Sequence, residues 1–190
     1  MIVTYIRSSS YNNYDYCQMQ YFITYVLGYQ STSGKKAQLG TIVHKVMEVL
    51  ASCKKQLQEN PDKKSLFIVD DAIEKVNFTP KSLFTKTFVT KILDRSYEYY
   101  TNNCTHKYTG ADKKFCIKLT NDALEYHDGQ FDPRKRDIVD AEPQFDIPID
   151  RPWAKFKYKM PDGKVAEGQL AIKGTIDLVT KVDDGIIEVI

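Results

Sequence analysis

The apolar residues of this chain change period once, and that change limits the folds open to it. In the first 130 of its 190 residues they recur at helical spacing. The stripe Leu39, Val43, Val46, Met47, Leu50, Cys53 and Leu57 is the clearest case. From Ile138 onward they alternate instead, as in half-buried strands: Val139, Ala141, Phe145, Ile147 and Ile149, then Phe156, Tyr158 and Met160. A helical front followed by an antiparallel β-meander predicts an α+β fold. The polar stretch from Asp128 to Arg136 is the natural boundary, giving a helical region over 1–130 and a β-meander over 131–190. The composition, 42% hydrophobic and 27% charged, is that of a globular chain, and the length is enough to bury a core without disulfides or a structural metal.

Local signals refine this. Ser8, Ser9 and Ser10 are helix-capping residues before a Gly/Pro-free run from Tyr11 to Leu27. A polar loop is expected over Gln30–Lys36, then a helix from about Lys36 to Asn60. A short helix is expected over Val69–Val76. Thr79-Pro80 reads as a cap followed by a first-turn proline opening a long helix to about Asn102. A further helix fits Asp112–His127. Pro161-Asp162-Gly163-Lys164 reads as a turn. Leu170–Val182 reads as one strand, returning through Asp183-Asp184-Gly185 into Ile186–Ile190. Most of the tyrosines near the start are expected to be packing residues.

The charge balance, 27 basic against 25 acidic residues, does not demand a bulk electrostatic nucleic-acid binder, although a local basic groove is compatible with it. No run approaches the length of a membrane span, so no membrane partner is expected. Cys17, Cys53, Cys104 and Cys116 form no C-x-x-C pair. With no secretory signal pattern at the start, reduced thiols and a cytoplasmic location, in a bacterium or a phage-infected host cell, are expected.

Several residues bear on chemistry. Gly40 interrupts a strong helix, which suggests close approach by another backbone or a ligand, and His44 lies one turn further on the same face. His44 by itself equally fits a hydrogen-bonded histidine beside a tightly packed helix. Asp177 is an acid within Gly174-Thr175-Ile176-Asp177-Leu178-Val179, where alternation also allows it to face water. Glu188 lies in the returning strand and Glu142 opens Ala141-Glu142-Pro143-Gln144-Phe145. Converging carboxylates there would suit a hard divalent cation.

The order of these motifs resembles the RecB-like branch of the PD-(D/E)XK nuclease superfamily, including exonucleases of phage and bacteria. The opening from Ser8 to Phe22 is similar to that family's serine–tyrosine–cysteine–aromatic helix, with Cys17-Gln18 where many members have Cys-Pro. Gly40-x-x-x-His44 is similar to its histidine motif, Glu142-x-x-Phe145 to its acidic strand, and Gly174-Thr175-Ile176-Asp177 to its metal-binding aspartate strand. The family's following strand ends in an acid-x-Lys motif. Here the apolar strand Ile186–Ile190 stands where that motif would begin.

The resemblance implies a partial restriction-endonuclease-like core and a metal-dependent DNA exonuclease acting in repair, recombination or phage DNA processing. His44 and Asp177 would be metal ligands and Glu142 a further catalytic acid, with Mg²⁺ or Mn²⁺ as cofactor. Glu188 precedes the family's spacing and reads as a strand residue. Without the acid-x-Lys motif, the isolated chain is expected to be a weak or inactive nuclease: a truncated form, or one half of a split enzyme completed by a C-terminal polypeptide or a helicase or recombination partner. The alternative is a non-catalytic DNA-binding or protein-interaction module on the same fold. Cys17 occupies the place of a cluster cysteine in some relatives; Cys104 and Cys116 do not match the remaining spacing, so an iron–sulfur cluster is neither supported nor excluded. DNA contacts would come from Ser8, Ser10 and Tyr11 of the first helix and from Lys155, Lys157 and Lys159, which share one face of a strand.

Overall fold

The apolar stripe of the strongest helical segment folds as one long helix, α3 (Lys35–Glu59), in a computed structural model that describes residues 4–29 and 34–190. The expected loop at 30–33 and the first three residues lie outside the described part. Leu39, Ile42, Val46, Val49, Leu50 and Cys53 of α3 are buried, and they form the centre of the main core.

The chain divides into two compact units, each made of two segments. One comprises Ser33–Pro143 and Ile176–Ile190, the other Met1–Thr32 and Gln144–Thr175. In the first unit, α3 packs against strands β2 (Leu66–Asp70) and β3 (Glu74–Phe78) and helices α4 (Pro80–Leu83), α5 (Lys86–Asn102) and α6 (Gly110–Glu125). Ile68, Ile73, Val76, Phe78, Leu83, Ile92, Leu93 and Cys116 are buried in that core.

The hairpin β2–β3 corrects the helix expected over Val69–Val76. Leu66 and Ile68 face inward on one strand and Val76 and Phe78 on the other, a period of two that the intervening turn hides. Asp70 makes that turn by accepting a hydrogen bond from the Ala72 amide at 2.8 Å. The long helix expected from Pro80 is likewise two helices. Thr79 caps α4 by accepting from the Ser82 amide, and Thr85 caps α5 by accepting from the Phe88 amide.

The same unit holds a three-stranded antiparallel sheet with β9 (Leu178–Asp183) between β4 (Asp137–Ala141) and β10 (Ile186–Val189). Gly185 turns β9 into β10 with φ +78°, a value that favours glycine. Ala51 of α3 packs on Ile138 and Leu178 of this sheet, with Ala141 and Ile190 alongside. α3 therefore has two apolar faces, one toward the helices and hairpin and one toward the sheet.

The second unit contains β5 (Gln144–Pro148), β6 (Lys155–Lys159), β7 (Val165–Gln169), β8 (Ala171–Thr175) and the short strand β1 (Tyr5–Ile6). β8 pairs parallel with β1 and antiparallel with β5, while β6 and β7 form a separate hairpin. Gly174 pairs with Phe145, and a Cβ at position 174 would come within 2.6 Å of the Phe145 ring. The phenyl ring covers the strand where a side chain would otherwise stand. The first helical run is interrupted in this unit. Cys17, with φ −158° and ψ 106°, separates α1 (Ser8–Tyr16) from α2 (Gln18–Tyr21), and a π-type turn follows over Phe22–Val26. Tyr11, Tyr14, Tyr16 and Tyr29 are exposed, contrary to the packing role expected for most early tyrosines. No helix among the described residues is long and apolar enough to cross a membrane.

Candidate metal centre

One stripe of α3 carries His44, Met47, Glu48 and Ala51 at helical spacing, so His44 and Glu48 project one turn apart from one face. Ala51, one turn further, is the contact that packs this face on the sheet. The helix thus presents an imidazole and a carboxylate close to where β4 ends and β9 begins.

Glu142 and Asp177 occupy two adjacent bends. Leu170–Val182, expected as one strand, breaks at Ile176-Asp177, and Glu142-Pro143 separates β4 from β5. The two bends are joined by backbone hydrogen bonds: the Glu142 amide donates to the Asp177 carbonyl at 3.2 Å, and the Ile176 amide to the Pro143 carbonyl at 3.0 Å. Pairing keeps one register on both sides, Ala141 with Leu178 and Gln144 with Thr175. Proline at 143 can accept but not donate, and its carbonyl is the group used. Glu142 has φ +56°, in the left-handed region that is unfavourable for a residue with a Cβ. Asp177, read from alternation as a strand acid, is instead at a bend.

The consequence is a cluster of one imidazole and three carboxylates. His44 Nε2 lies 3.3 Å from Glu142 Oε1 and 3.4 Å from Asp177 Oδ1. Ligand atoms of His44, Glu48 and Glu142 all fall within 4.8 Å of one another. Atoms bound to one ion at 2.0–2.6 Å can be at most about 5 Å apart, so these separations suit a shared cation. Glu142 Oε1 is buried with no hydrogen-bond partner; the 3.3 Å approach of His44 is close but lacks hydrogen-bond geometry. A buried acceptor left open beside an imidazole and other carboxylates fits a divalent ion. Burial raises the Glu142 carboxyl above the usual range, with Glu48 and Asp177 adding to the rise and His44 and Lys45 opposing it.

Lys45 braces this arrangement. Its Nζ donates to both oxygens of Glu48, at 2.8 and 3.0 Å, and pairs with Asp70 of β2 at 2.7 Å. Burial pulls the Lys45 ammonium down, but the bonds to Asp70 and Glu48 outweigh it and the net shift is upward. Glu48 is the member that reading the sequence did not single out. The signal was present as His44-x-x-x-Glu48, a pair one turn apart on a helix.

The other expected residues are placed elsewhere. Glu188 pairs with Thr180 across the hairpin and forms an ion pair with Arg136 at 2.9 Å, so it serves the sheet and not the cluster. Among the described residues none approaches Gly40 closely, since a Cβ there would find nothing within 4 Å, so of the two causes expected for this glycine, a backbone or a ligand, no backbone is seen. Ser8, Ser10, Tyr11, Lys155, Lys157 and Lys159 belong to the other unit. Ser10 is buried, and its hydroxyl accepts from the Arg7 amide at 2.9 Å and donates to the Arg7 carbonyl at 2.8 Å. Ser8 and Tyr11 are exposed. Lys157 pairs with Glu167 at 2.7 Å, which offsets the middle charge of the lysine stripe.

The cluster opens on a cavity of about 150 Å³ lined by His44, Met47, Glu48, Ala51, Phe131, Pro133, Glu142, Asp177, Leu178 and Ile190. All four cysteines are free, and Cys53 and Cys116 are buried.

No curated protein and no solved structure matches the chain. The sequence profile of the PD-(D/E)XK nuclease superfamily matches residues 8–190, a span that contains His44, Glu48, Glu142 and Asp177. With a match that covers nearly its whole length, the chain belongs to the PD-(D/E)XK nuclease superfamily.

Proposed function

We propose that the chain is the nuclease part of a metal-dependent DNA exonuclease of the RecB-like type. The observation that carries this reading is the convergence of His44, Glu142 and Asp177, with Glu142 Oε1 buried and open. The order of its sequence motifs supports the RecB-like branch.

In this reading His44, Glu48 and Glu142, whose ligand atoms lie within mutual reach, hold Mg²⁺ or Mn²⁺, and Asp177 joins them from its place 3.4 Å from His44. A divalent ion supplies Lewis acidity for attack of water on a phosphodiester and offsets the charge that builds on the phosphoryl oxygens. The residues of the chain hold that position in advance. The joined bends fix Glu142 and Asp177 relative to each other, and Lys45 fixes Glu48 against α3. Preorganised groups need no rearrangement as charge develops. The negative cluster repels a bare phosphate, so substrate and cation should bind together.

Two measurements test the reading. End-labelled DNA incubated with the full-length protein, acid-x-Lys motif included, and Mg²⁺ or Mn²⁺ should be shortened from its ends, and His44→Ala or Asp177→Asn should abolish that activity. Titration calorimetry with Mn²⁺ should show binding that falls by at least about tenfold in either variant. Wild-type affinity and cleavage surviving in both variants would overturn the assignment.

A further inference from the structure

Beside the acidic cluster, the cavity wall is apolar: Met47, Ala51, Phe131, Pro133, Leu178 and Ile190. Its volume, about 150 Å³, is far below the ~300–1,000 Å³ of sites that enclose a whole small-molecule ligand. A cavity of that size with apolar walls takes a single ring system. We infer that it receives the base of an unpaired nucleotide whose phosphate lies at the His44–Glu142–Asp177 cluster, with the base stacked on Phe131. This inference rests on the nuclease reading of the cluster and names the form of DNA that the site accepts.

The chemistry of a nucleotide decides which part goes where. The phosphate is charged and needs the cation; an apolar wall excludes it. The base has flat, weakly polar faces and stacks on aromatic rings. Phe131 supplies such a ring: it is 41% exposed although it lines the cavity, and it stacks on Tyr126 with centroids 5.1 Å apart and planes 28° from parallel. Tyr126 is also half-exposed. Apart from the cluster itself, the lining side chains offer no hydrogen-bond donor or acceptor, so the cavity favours stacking without reading base identity.

The segment that presents Phe131 is held in place. His127 and Asp128 have φ of +43° and +58°, and Gly129 follows at +87°. Two consecutive left-handed non-glycine residues are strained, and such strain persists only where the surroundings enforce it. Lys135 Nζ donates to the Asp128 carbonyl at 2.9 Å. Arg136 donates to the Gln130 carbonyl at 2.8 and 2.6 Å and to Glu188 at 2.9 Å. Those bonds anchor the segment to β10. A paired base cannot leave its stack without an unpairing cost, which single strands and overhangs do not carry. The site should therefore favour unpaired ends.

The test is equilibrium binding, measured by fluorescence anisotropy with Mn²⁺ at low temperature. The probes are a labelled single-stranded oligonucleotide, a duplex with an overhang, a blunt duplex, and the overhang duplex with abasic residues in its single-stranded part. Phe131→Ala should weaken binding to the single strand and the overhang by about five- to a hundred-fold, the range carried by one base–aromatic stack. Binding to the blunt duplex should be unchanged. The abasic overhang should bind wild type as weakly as the intact overhang binds the variant, and exchanging the overhang bases should change little. Phe131→Leu keeps apolar volume without a ring and should show the same selective loss, which separates stacking from misfolding. Equal effects on blunt and unpaired DNA, or an abasic overhang bound as tightly as the intact one, would overturn the inference alone. A wild-type chain that binds no DNA would remove the nuclease reading and this inference with it.

Discussion

Glu142 holds a charge-bearing side chain on a left-handed backbone, with its carboxylate crowded by Glu48 and Asp177 and one oxygen left open. Each of these is unfavourable to the folded chain. Glu142→Asn should relieve the backbone strain, because asparagine tolerates this conformation, and should remove the like-charge crowding. The variant should gain up to about 1 kcal/mol of stability without metal, read from urea denaturation, and should lose metal-dependent cleavage. A destabilised Glu142→Asn would mean that the carboxylate contributes to folding. At this scale the sequence is informative where a residue breaks a local rule. An acid between isoleucine and leucine marks Asp177, and the resemblance marks His44. Glu48 breaks no rule: a glutamate on an amphipathic helix is ordinary, and only the fold reveals its neighbours. Glu188 has the same local appearance as Asp177, yet its pairing register places it against Thr180 and Arg136.

Among the elements, α6 shows how a cap can tie two helices together. Asp112 in its first turn accepts from the Thr109 amide at 2.7 Å and hydroxyl at 2.8 Å, and from Lys35 at the start of α3 at 2.8 Å. Lys35, and then Thr109, hold the Asp112 carboxyl down at about 2. A carboxylate with a lowered value stabilises the fold above its unfolded value near ~3.9, and that contribution is lost as the pH falls through the folded value. The wild-type chain should therefore lose stability relative to Asp112→Asn between about pH 4 and pH 2. Urea midpoints across this range check it; a constant difference would show that the cap does not titrate. Long elements such as α3 were legible because seven apolar positions repeat one spacing. The hairpin β2–β3 was not, because four inward residues split by a turn carry too little period to distinguish two strands from a helical turn. The break at Cys17 left no glycine or proline to mark it.

Across the whole molecule, the cluster draws on α3, on the bend after β4 and on the bend before β9, so its geometry exists only when these parts are assembled. A cation that binds the assembled form should stabilise it by mass action. At a Mn²⁺ concentration about a hundredfold above its dissociation constant the gain is about 2.7 kcal/mol, or roughly 5–10 °C in melting temperature for a chain of this size. Scanning calorimetry should show that rise in the wild type and a rise of about half that size or less in Asp177→Asn. An equal rise in both would place the ion elsewhere. Fold class was legible at this scale because the period change separates helices from strands. The meeting of Glu142 with Asp177, 35 positions apart, depends on pairing that no local pattern encodes. The joined bends also set a rule about chain length. The bonds from the Glu142 amide to the Asp177 carbonyl and from the Ile176 amide to the Pro143 carbonyl need the present spacing, so adding or deleting one residue between Ala141 and Gln144, or between Thr175 and Leu178, would break the pairing that holds the two acids together. In these two short stretches the side chains of Pro143 and Ile176 should be exchangeable, those of Glu142 and Asp177 should not, and neither stretch should accept a change in the number of residues.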